Sequence, residues 1–462
     1  MRRLLSKVPA IFLALSAAAF FSCASSKGAA RRDDSFFSDE NIPLFKEAKL
    51  SNGIPLAFKN IPFEKNIEIR VLFLGGYSSC PKNKAGMDQL TFGLLSERNS
   101  RIKELSARGL YFPVYSCLAD YSYYGFNCAA PDFFESLDAF AASLFSPEYA
   151  HKDYLQKEAA ASAEALDRSE SLGYELLENV KKRIYAQSPY LEGSYYKKTS
   201  RVSEYDIEKN LSSLLNASRI QIVAAGNFSY KETSASRGKR QKKDDALLFE
   251  ERSAALLEKL ESLFGTLKAE PWAAPNIPAL SLQGKKDYQI KTDFAANDCC
   301  AALCVAAPNR SDSDYESFAL ASLALDSVLR RELVEAKKIA SYAGTAVLNS
   351  KQSAALVLMG GRKQDLDYKE SLAAALAMFP DYNELESVLG VYKNIYVSRV
   401  IDSSHNAGAT LDQISSGLVY QNSAAAFVEK PKKIRAVTAQ DVIGAYEKYF
   451  LSENSLFVLL TN

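Results

Sequence analysis

Val202-Ser-Glu-Tyr-Asp206-Ile207 returns later in the chain as Val437-Thr-Ala-Gln-Asp441-Val442. At the same offset, without a gap, Ile220-Gln-Ile-Val-Ala-Ala-Gly-Asn227 lines up with Ser455-Leu-Phe-Val-Leu-Leu-Thr-Asn462. Each copy reads as a capped helix feeding an apolar strand, with Asp206 and Asp441 at equivalent turns of their helices. An apolar strand has to be buried in a sheet, so each copy needs its own core. A repeat of roughly 200 residues is too long for a solenoid unit. The pattern predicts two homologous α+β domains, each a sheet with helices packed on one face.

Earlier elements recur in the same order. Ile67 to Gly76 alternates as a strand and leads to a helix around Asp88 to Arg98; Cys299 to Ala307 leads to a helix around Ser313 to Ala336. Each helix is followed by two strands, Leu110 to Leu118 with Tyr121 to Ala129, then Ile339 to Leu348 with Ser353 to Gly360. Asn52-Gly53 between apolar alternations marks an opening hairpin. Tyr149 to Ile184 has few breakers and predicts helix, as does Leu247 to Leu267. Ser229 to Asp245, with its run Arg237-Gly-Lys-Arg-Gln-Lys-Lys243, reads as a solvated surface loop. The division is a first domain over 45–268, a Pro-rich linker over 269–282 around the single Trp272, and a second domain over 283–462. The linker's stiffness is expected to limit how far the halves separate across a cavity.

The N-terminus sets an expected compartment. Met1-Arg2-Arg3 and Lys7 precede an apolar run, Val8 to Phe21, that is too short to span a membrane. Residues 1–22 therefore read as a signal peptide. Small residues around Cys23 resemble a bacterial lipoprotein cleavage site, with Cys23 as the lipidated first residue of the mature chain. Several acyl chains on one residue anchor a protein stably, where one alone does not. Residues 23–44 are polar and charged and read as a tether. The expectation is an exported bacterial lipoprotein, held at the periplasmic face or cell surface through its lipid.

Composition excludes some partners. Fifty-six Lys and Arg against 55 Asp and Glu leave no basic balance suited to nucleic acid. Apolar residues make up 47% of the chain, enough for substantial cores. Cys80, Cys117, Cys128, Cys299, Cys300 and Cys304 lack paired C-x-x-C spacing and read as small buried hydrophobes. No P-loop, dinucleotide fingerprint or nucleophile elbow is present. Tyr111, Tyr115, Tyr121, Tyr123 and Tyr124 fall on one hairpin, where aromatics pack well.

Several short segments resemble the insulinase/pitrilysin-type zinc metallopeptidases. Leu50-Ser-Asn-Gly-Ile54 resembles that family's opening L-x-N-G-[IL]. Gly75-Gly-Tyr-Ser78 stands where a G-S-x-x-E turn precedes the metal helix, and Ser188-Pro-Tyr190 resembles an [HS]-P-Y segment. Arg330-Arg331-Glu332 with Ala340-Ser-Tyr342 resembles an R-E-x…L-A-Y element of the second half. The resemblance implies the clamshell of two halves found in mitochondrial processing peptidases. It also implies a metal helix reading G-x-x-H-x-x-E-H, whose His residues bind zinc and whose Glu activates water. Aligned on Gly86 and Leu94-Leu95, this chain has Gln89, Phe92 and Gly93 at those places. An amide is a poor zinc ligand, a phenyl ring takes no proton, and glycine offers nothing.

The resemblance puts a third ligand, a Glu, on a later helix in an E-x6-E pattern. Here Glu158 and Glu164 are one residue too close. His151 and His405 are the only histidines, and neither has a partner at i+3 or i+4. The second-half residues implied to hold substrate backbone are Arg331 and Tyr342. Their separation is longer than in the family pattern, as if residues were inserted at Glu335 to Lys338. The helix around Gly86 to Arg98 is expected to turn Gln89, Phe92 and Gly93 toward the other half, without metal or cofactor. The first functional reading is a non-catalytic, insulinase-like lipoprotein that binds peptides or pairs, as homo- or heterodimer, with an insulinase-family protein. The alternatives are a zinc peptidase whose site is misaligned or shared with another chain, and a structural or surface-interaction lipoprotein.

Overall fold

The computed structural model describes residues 45–80, 84, 86–147, 151–169, 172–186, 188–193, 202–230, 239–292, 299–361 and 366–461. The signal and tether, with Cys23, lie outside these. Six strands form the first sheet: β1 (Phe45–Lys49), β2 (Pro55–Asn60), β3 (Asn66–Leu74), β4 (Phe112–Cys117), β5 (Tyr121–Ala129) and β6 (Ile220–Gly226). Five form the second: β7 (Lys285–Lys291), β8 (Cys299–Ala306), β9 (Tyr342–Leu348), β10 (Ala354–Gly361) and β11 (Ser455–Thr461).

The sheets share one topology. The first runs β1-β2-β6-β3-β5-β4 and the second β7-β11-β8-β10-β9. Setting β1 aside, each has a parallel pair made by its last strand, β6 on β2 and β11 on β7, while its other pairs are antiparallel. The two apolar strands of the repeat therefore hold equivalent central places. Hairpin β1–β2 turns at Asn52-Gly53, with Gly53 at φ 90°.

The first sheet's own helices are α1 (Met87–Arg98), α2 (Ser100–Ala107), α3 (Phe133–Phe145), α4 (His151–Ser169), α5 (Leu172–Ile184), α6 (Pro189–Gly193), α7 (Glu204–Leu214) and α8 (Lys239–Phe264). The second half contributes α9 (Tyr315–Leu329), α10 (Tyr368–Leu376), α11 (Tyr382–Ser403), α12 (Ala407–Gln421), α13 (Ala426–Ala436) and α14 (Ala439–Ala445). Helix α8 begins inside the charged run that read as a loop. From Lys239 on, that run contains good helix formers and no breaker, so it joins the amphipathic helix behind it.

One face of each sheet is covered by its own half. Ile69, Val71, Phe73, Ile222 and Ala224 pack under α1, α2, α3, α7 and α8; Ala355, Val357, Met359 and Phe457 pack under α9, α10, α11 and α14. The opposite faces are covered reciprocally. Ala57, Leu72, Val223 and Ala225 of the first sheet receive Ala407, Leu411 and Ile414 of the second half's α12. Cys300, Ala302, Leu356, Val458 and Leu460 of the second sheet receive Leu176, Val180 and Ile184 of the first half's α5. Strands buried on both faces have no polar side to show, which is why β6 and β11 read as continuous apolar runs. Among the described residues no disulfide joins Cys80, Cys117, Cys128, Cys299, Cys300 or Cys304.

Both repeat helices start with a capping box. The Ser203 hydroxyl accepts from the Asp206 N–H at 3.2 Å while the Asp206 carboxylate accepts from the Ser203 N–H at 2.9 Å. Thr438 and Asp441 repeat the exchange at 3.2 and 2.8 Å. Asp206 also pairs with Lys84 at 2.5 Å. Although some burial opposes it, the Lys84 and Ser203 hydrogen bonds hold the Asp206 carboxyl down from 3.8 to about 2. A depressed carboxyl stabilises the fold fully above its unfolded pKa and loses that contribution as pH falls through the folded one. Asp206→Ala should therefore lower stability by about 1 kcal/mol at neutral pH. Urea unfolding should show the gap from wild type closing as pH falls from about 4 toward 2; a gap independent of pH would refute the ionic part of the cap.

Candidate functional site

Helix α1 starts at Gly86, whose φ of 80° suits glycine. The helix is enclosed by its own half. Met87, Leu90 and Leu94 meet Tyr154 and Ala161 of α4 and Ile207 of α7, while Phe92 and Leu95 enter the sheet core. Phe92 is fully buried. Its ring stacks on Phe73 of β3 at 5.5 Å and on Tyr124 of β5 at 5.6 Å, almost parallel to the latter. This corrects the expectation that Phe92 faces the other half. A carboxylate needs solvent or a cation, whereas a phenyl ring at the same place completes an aromatic layer beneath the helix. Gln89 is half-buried.

Gly93 is buried, and α4 fills the room its missing side chain leaves. A Cβ there would stand 3.6 Å from Lys157 Nζ and 3.6 Å from the Tyr115 hydroxyl. Lys157 pairs with Glu97 at 2.5 Å. Burial lifts the Tyr115 hydroxyl pKa, with Lys157 opposing and Glu164 and Glu97 assisting. An ammonium group thus stands beside the position that the resemblance assigns to a zinc ligand. The residues present do not fit zinc: an amide, a phenyl ring and a glycine stand where the resemblance puts two imidazoles and a carboxylate. Glu158 is half-buried and Glu164 exposed on α4. His405 is exposed. Among the described residues no three His, Cys, Asp or Glu side chains stand close enough to hold a metal ion.

Asp88, next along α1, is fully enclosed. Its carboxyl accepts from Ser122 at 2.7 Å and from Asn210 at 2.8 Å, tying α1 to β5 and α7. Burial raises its pKa against those two bonds and the nearby Arg219 guanidinium. Arg219 donates to the Leu74 carbonyl at 3.0 Å and lies under the Trp272 ring at 5.0 Å, so the linker is pinned to the first half.

The halves are joined at a carboxylate the sequence did not single out. Asp120 sits in the β4–β5 turn and is buried. It accepts from the Tyr190 hydroxyl at 2.6 Å, the Tyr420 hydroxyl at 3.1 Å and the Lys351 backbone N–H at 2.9 Å. Lys351 lies in the β9–β10 turn, the equivalent turn of the second half. Burial first, then Asp120 itself, lifts the Tyr190 and Tyr420 hydroxyls well above their usual range. Gly75-Gly76 makes the arrangement fit. Gly75 N–H donates to the Asp120 carbonyl at 2.7 Å, and a Cβ on Gly76, at φ 48°, would come within 2.1 Å of the Leu118 carbonyl. A second link runs from the buried Arg70 of β3 to the exposed Asp412 of α12 at 2.6 Å and to the Gly408 carbonyl at 3.1 Å.

Arg331 and Tyr342 go their own ways. Arg331 is exposed and bonds Glu332 at 2.9 Å. It lies in a π-helical run, Arg330–Ala336, followed by Lys338 at φ 51°. These features take up the extra residues seen in the sequence. Tyr342 opens β9 half-buried, its ring over Gly360; a Cβ on Gly360 would meet that ring at 2.1 Å. The hairpin tyrosines divide. Tyr111 stacks on Phe126 and Tyr124 on Phe92 in the core, whereas Tyr121 meets Tyr420 and Tyr123 lies under Arg70 at the seam between halves.

No protein-family model matches the chain, and no curated protein matches its sequence. Solved structures do match it. A protease from Helicobacter pylori superposes with a TM-score of 0.75 at 17% identity over 91% of this chain and 100% of that one. A peptidase M16 inactive domain from Pseudomonas fluorescens gives 0.70 at 14% identity, covering 90% and 98%. A chain of complex III2 from Candida albicans gives 0.69 at 12% identity, covering 90% and 95%. The fold is therefore that of the insulinase-like peptidases, with two homologous halves.

Phe92→Ala should cost about 3–5 kcal/mol, because it opens a cavity between two stacked rings. Gln89→His, at a half-buried position, should cost under about 0.5 kcal/mol. Urea unfolding of both variants tests the difference; equal small losses would mean that Phe92 is not the core residue described.

Proposed function

We propose that this chain is a non-catalytic insulinase-type protein, exported and anchored through Cys23, that acts by binding. It serves as partner subunit of a second insulinase-type protein or holds peptides. The observation that carries this reading is the stacking of Phe92 between Phe73 and Tyr124. The position that a water-activating carboxylate would occupy contributes to the core instead. Lys157 beside Gly93 supports it further, since an ammonium repels a divalent cation. Among the structural neighbours, one is described as an inactive domain and another is a chain of a larger complex, so the fold serves proteins outside catalysis. An exposed apolar stripe fits the partner reading. On α11, Val388, Val391 and Ile395 are exposed at helical spacing with Tyr382 on the same helix.

Metal analysis of the purified body, paired with a peptide-cleavage assay, tests the non-catalytic reading. The expected outcome is substoichiometric zinc and no cleavage that chelation abolishes. Stoichiometric zinc with chelator-sensitive cleavage would favour a shared or differently placed site and sink the proposal.

Cys23→Ala should abolish lipid attachment and move the protein from the detergent phase to the aqueous phase. Mass spectrometry of the mature N-terminus checks this independently, and an unmodified terminus elsewhere would refute the anchor.

A further inference from the structure

The seam between the halves holds a second polar recess, remote in sequence from α1. It is a cavity of about 20 Å³ lined by Arg310, Tyr315, Glu316, Gln413, Gln421 and Lys430, with Phe427 at its edge. Phe427 packs edge-on against Phe45 of the first half at 5.7 Å. Arg310 lies just after β8, Gln413 and Gln421 on α12, and Lys430 on α13. Packing of α9, α12 and α13 within the second half thus brings these groups together.

Two cations share this recess with a single carboxylate, Glu316, that bonds neither. Arg310 lies 5.8 Å from the Tyr315 ring centre and Lys430 lies 5.8 Å from the same ring and 5.4 Å from Tyr396. The rings stabilise both charges but neutralise neither. Among the described residues neither cation has a carboxylate within ion-pair distance, and Glu316, though in the lining, is not bonded to either. Arg310 Nε is a buried donor without a partner, and Gln413 Oε1 is a buried acceptor without one. Unpaired buried polar atoms are costly, and adjacent like charges add to the cost. Burial and the neighbouring Arg310 lower the Lys430 pKa, while Tyr315 and Glu316 oppose this.

We propose that Arg310 and Lys430, beside the unpaired Gln413 amide oxygen, form a binding site for a small oxyanion of the phosphate type, the Gln421 amide holding the Arg310 carbonyl at 2.8 Å. The cavity admits one oxygen-sized group, and the rest of the anion stands at its mouth. An oxygen there reaches the free Arg310 N–H and the Lys430 ammonium, whose donors match an oxyanion better than a halide. A protonated oxygen, as in hydrogen phosphate, also satisfies Gln413 Oε1. The site is independent of the function proposed above, because none of its residues belongs to α1 or α4.

Calorimetric titration of the full chain with inorganic phosphate, in buffered sodium chloride, tests the proposal. Wild type should show saturable one-to-one binding, and the thermal midpoint should rise by about 1–2 °C near saturation. Arg310→Gln and Lys430→Gln should each weaken binding at least about tenfold. If either variant fails to fold, the other carries the test, since they sit on separate elements. Titration with acetate in parallel tells a phosphate from a carboxylate; saturable binding of either that both variants lose supports the site. No saturable heat in wild type, or heat unchanged in the variants, would mean that the recess holds water alone and would overturn it.

Discussion

The arrangement of the two halves depends on one buried carboxylate. Asp120 lies where the β4–β5 turn of the first half meets the β9–β10 turn of the second, and it receives hydrogen bonds from Tyr190, Tyr420 and the Lys351 amide. Hydrogen bonds to a charged acceptor contribute about 1.5–3 kcal/mol each, and leaving the acceptor buried without them costs more. The three donors come from three separate elements, one in the first half and two in the second. Separating the halves strips the carboxylate of two of them. Gly75-Gly76 backs the turn from behind, where any side chain on Gly76 would strike the Leu118 carbonyl.

Around that point the halves exchange helices. Each sheet is closed on one face by its own half and on the other by a helix of its counterpart, α12 over the first and α5 over the second. Apart, each sheet would expose to water the apolar face that the other half's helix covers. The linker adds to the restraint. Trp272 stacks on Arg219, Leu282 enters the core beneath α5, and Ser281 donates to the Ile184 carbonyl at 2.8 Å. The halves form a closed clamshell by packing, with the linker following.

On α1, the places that the resemblance gives to catalytic side chains are held by structural contacts. Phe92 is held by rings above and below it, Asp88 by Ser122 and Asn210, and the gap at Gly93 by Lys157 and Tyr115. These contacts support one another. A phenyl ring fits because the aromatic layer is there, and the lysine fits because glycine leaves the space. Glu at 92 would be a buried carboxylate among rings, and His at 93 an imidazole against an ammonium.

The sequence by itself determined the two-half architecture. Its repeated helix and strand carry local chemistry, the capping aspartates Asp206 and Asp441 and the apolar runs β6 and β11, and such signals act over a few residues wherever they stand. It also puts an amide, a phenyl ring and a glycine at 89, 92 and 93, since side-chain identity needs no coordinates. Only the tertiary structure decided where those residues point, because the rotation of α1 is fixed by partners from β3, β5, α4 and α7, from Phe73, 19 residues before Phe92, to Asn210, 122 residues after Asp88. The roles of Asp120, Lys157, Arg310 and Lys430 were invisible for the same reason. Each is an ordinary charged residue in the chain, and its meaning comes from groups that folding brings beside it.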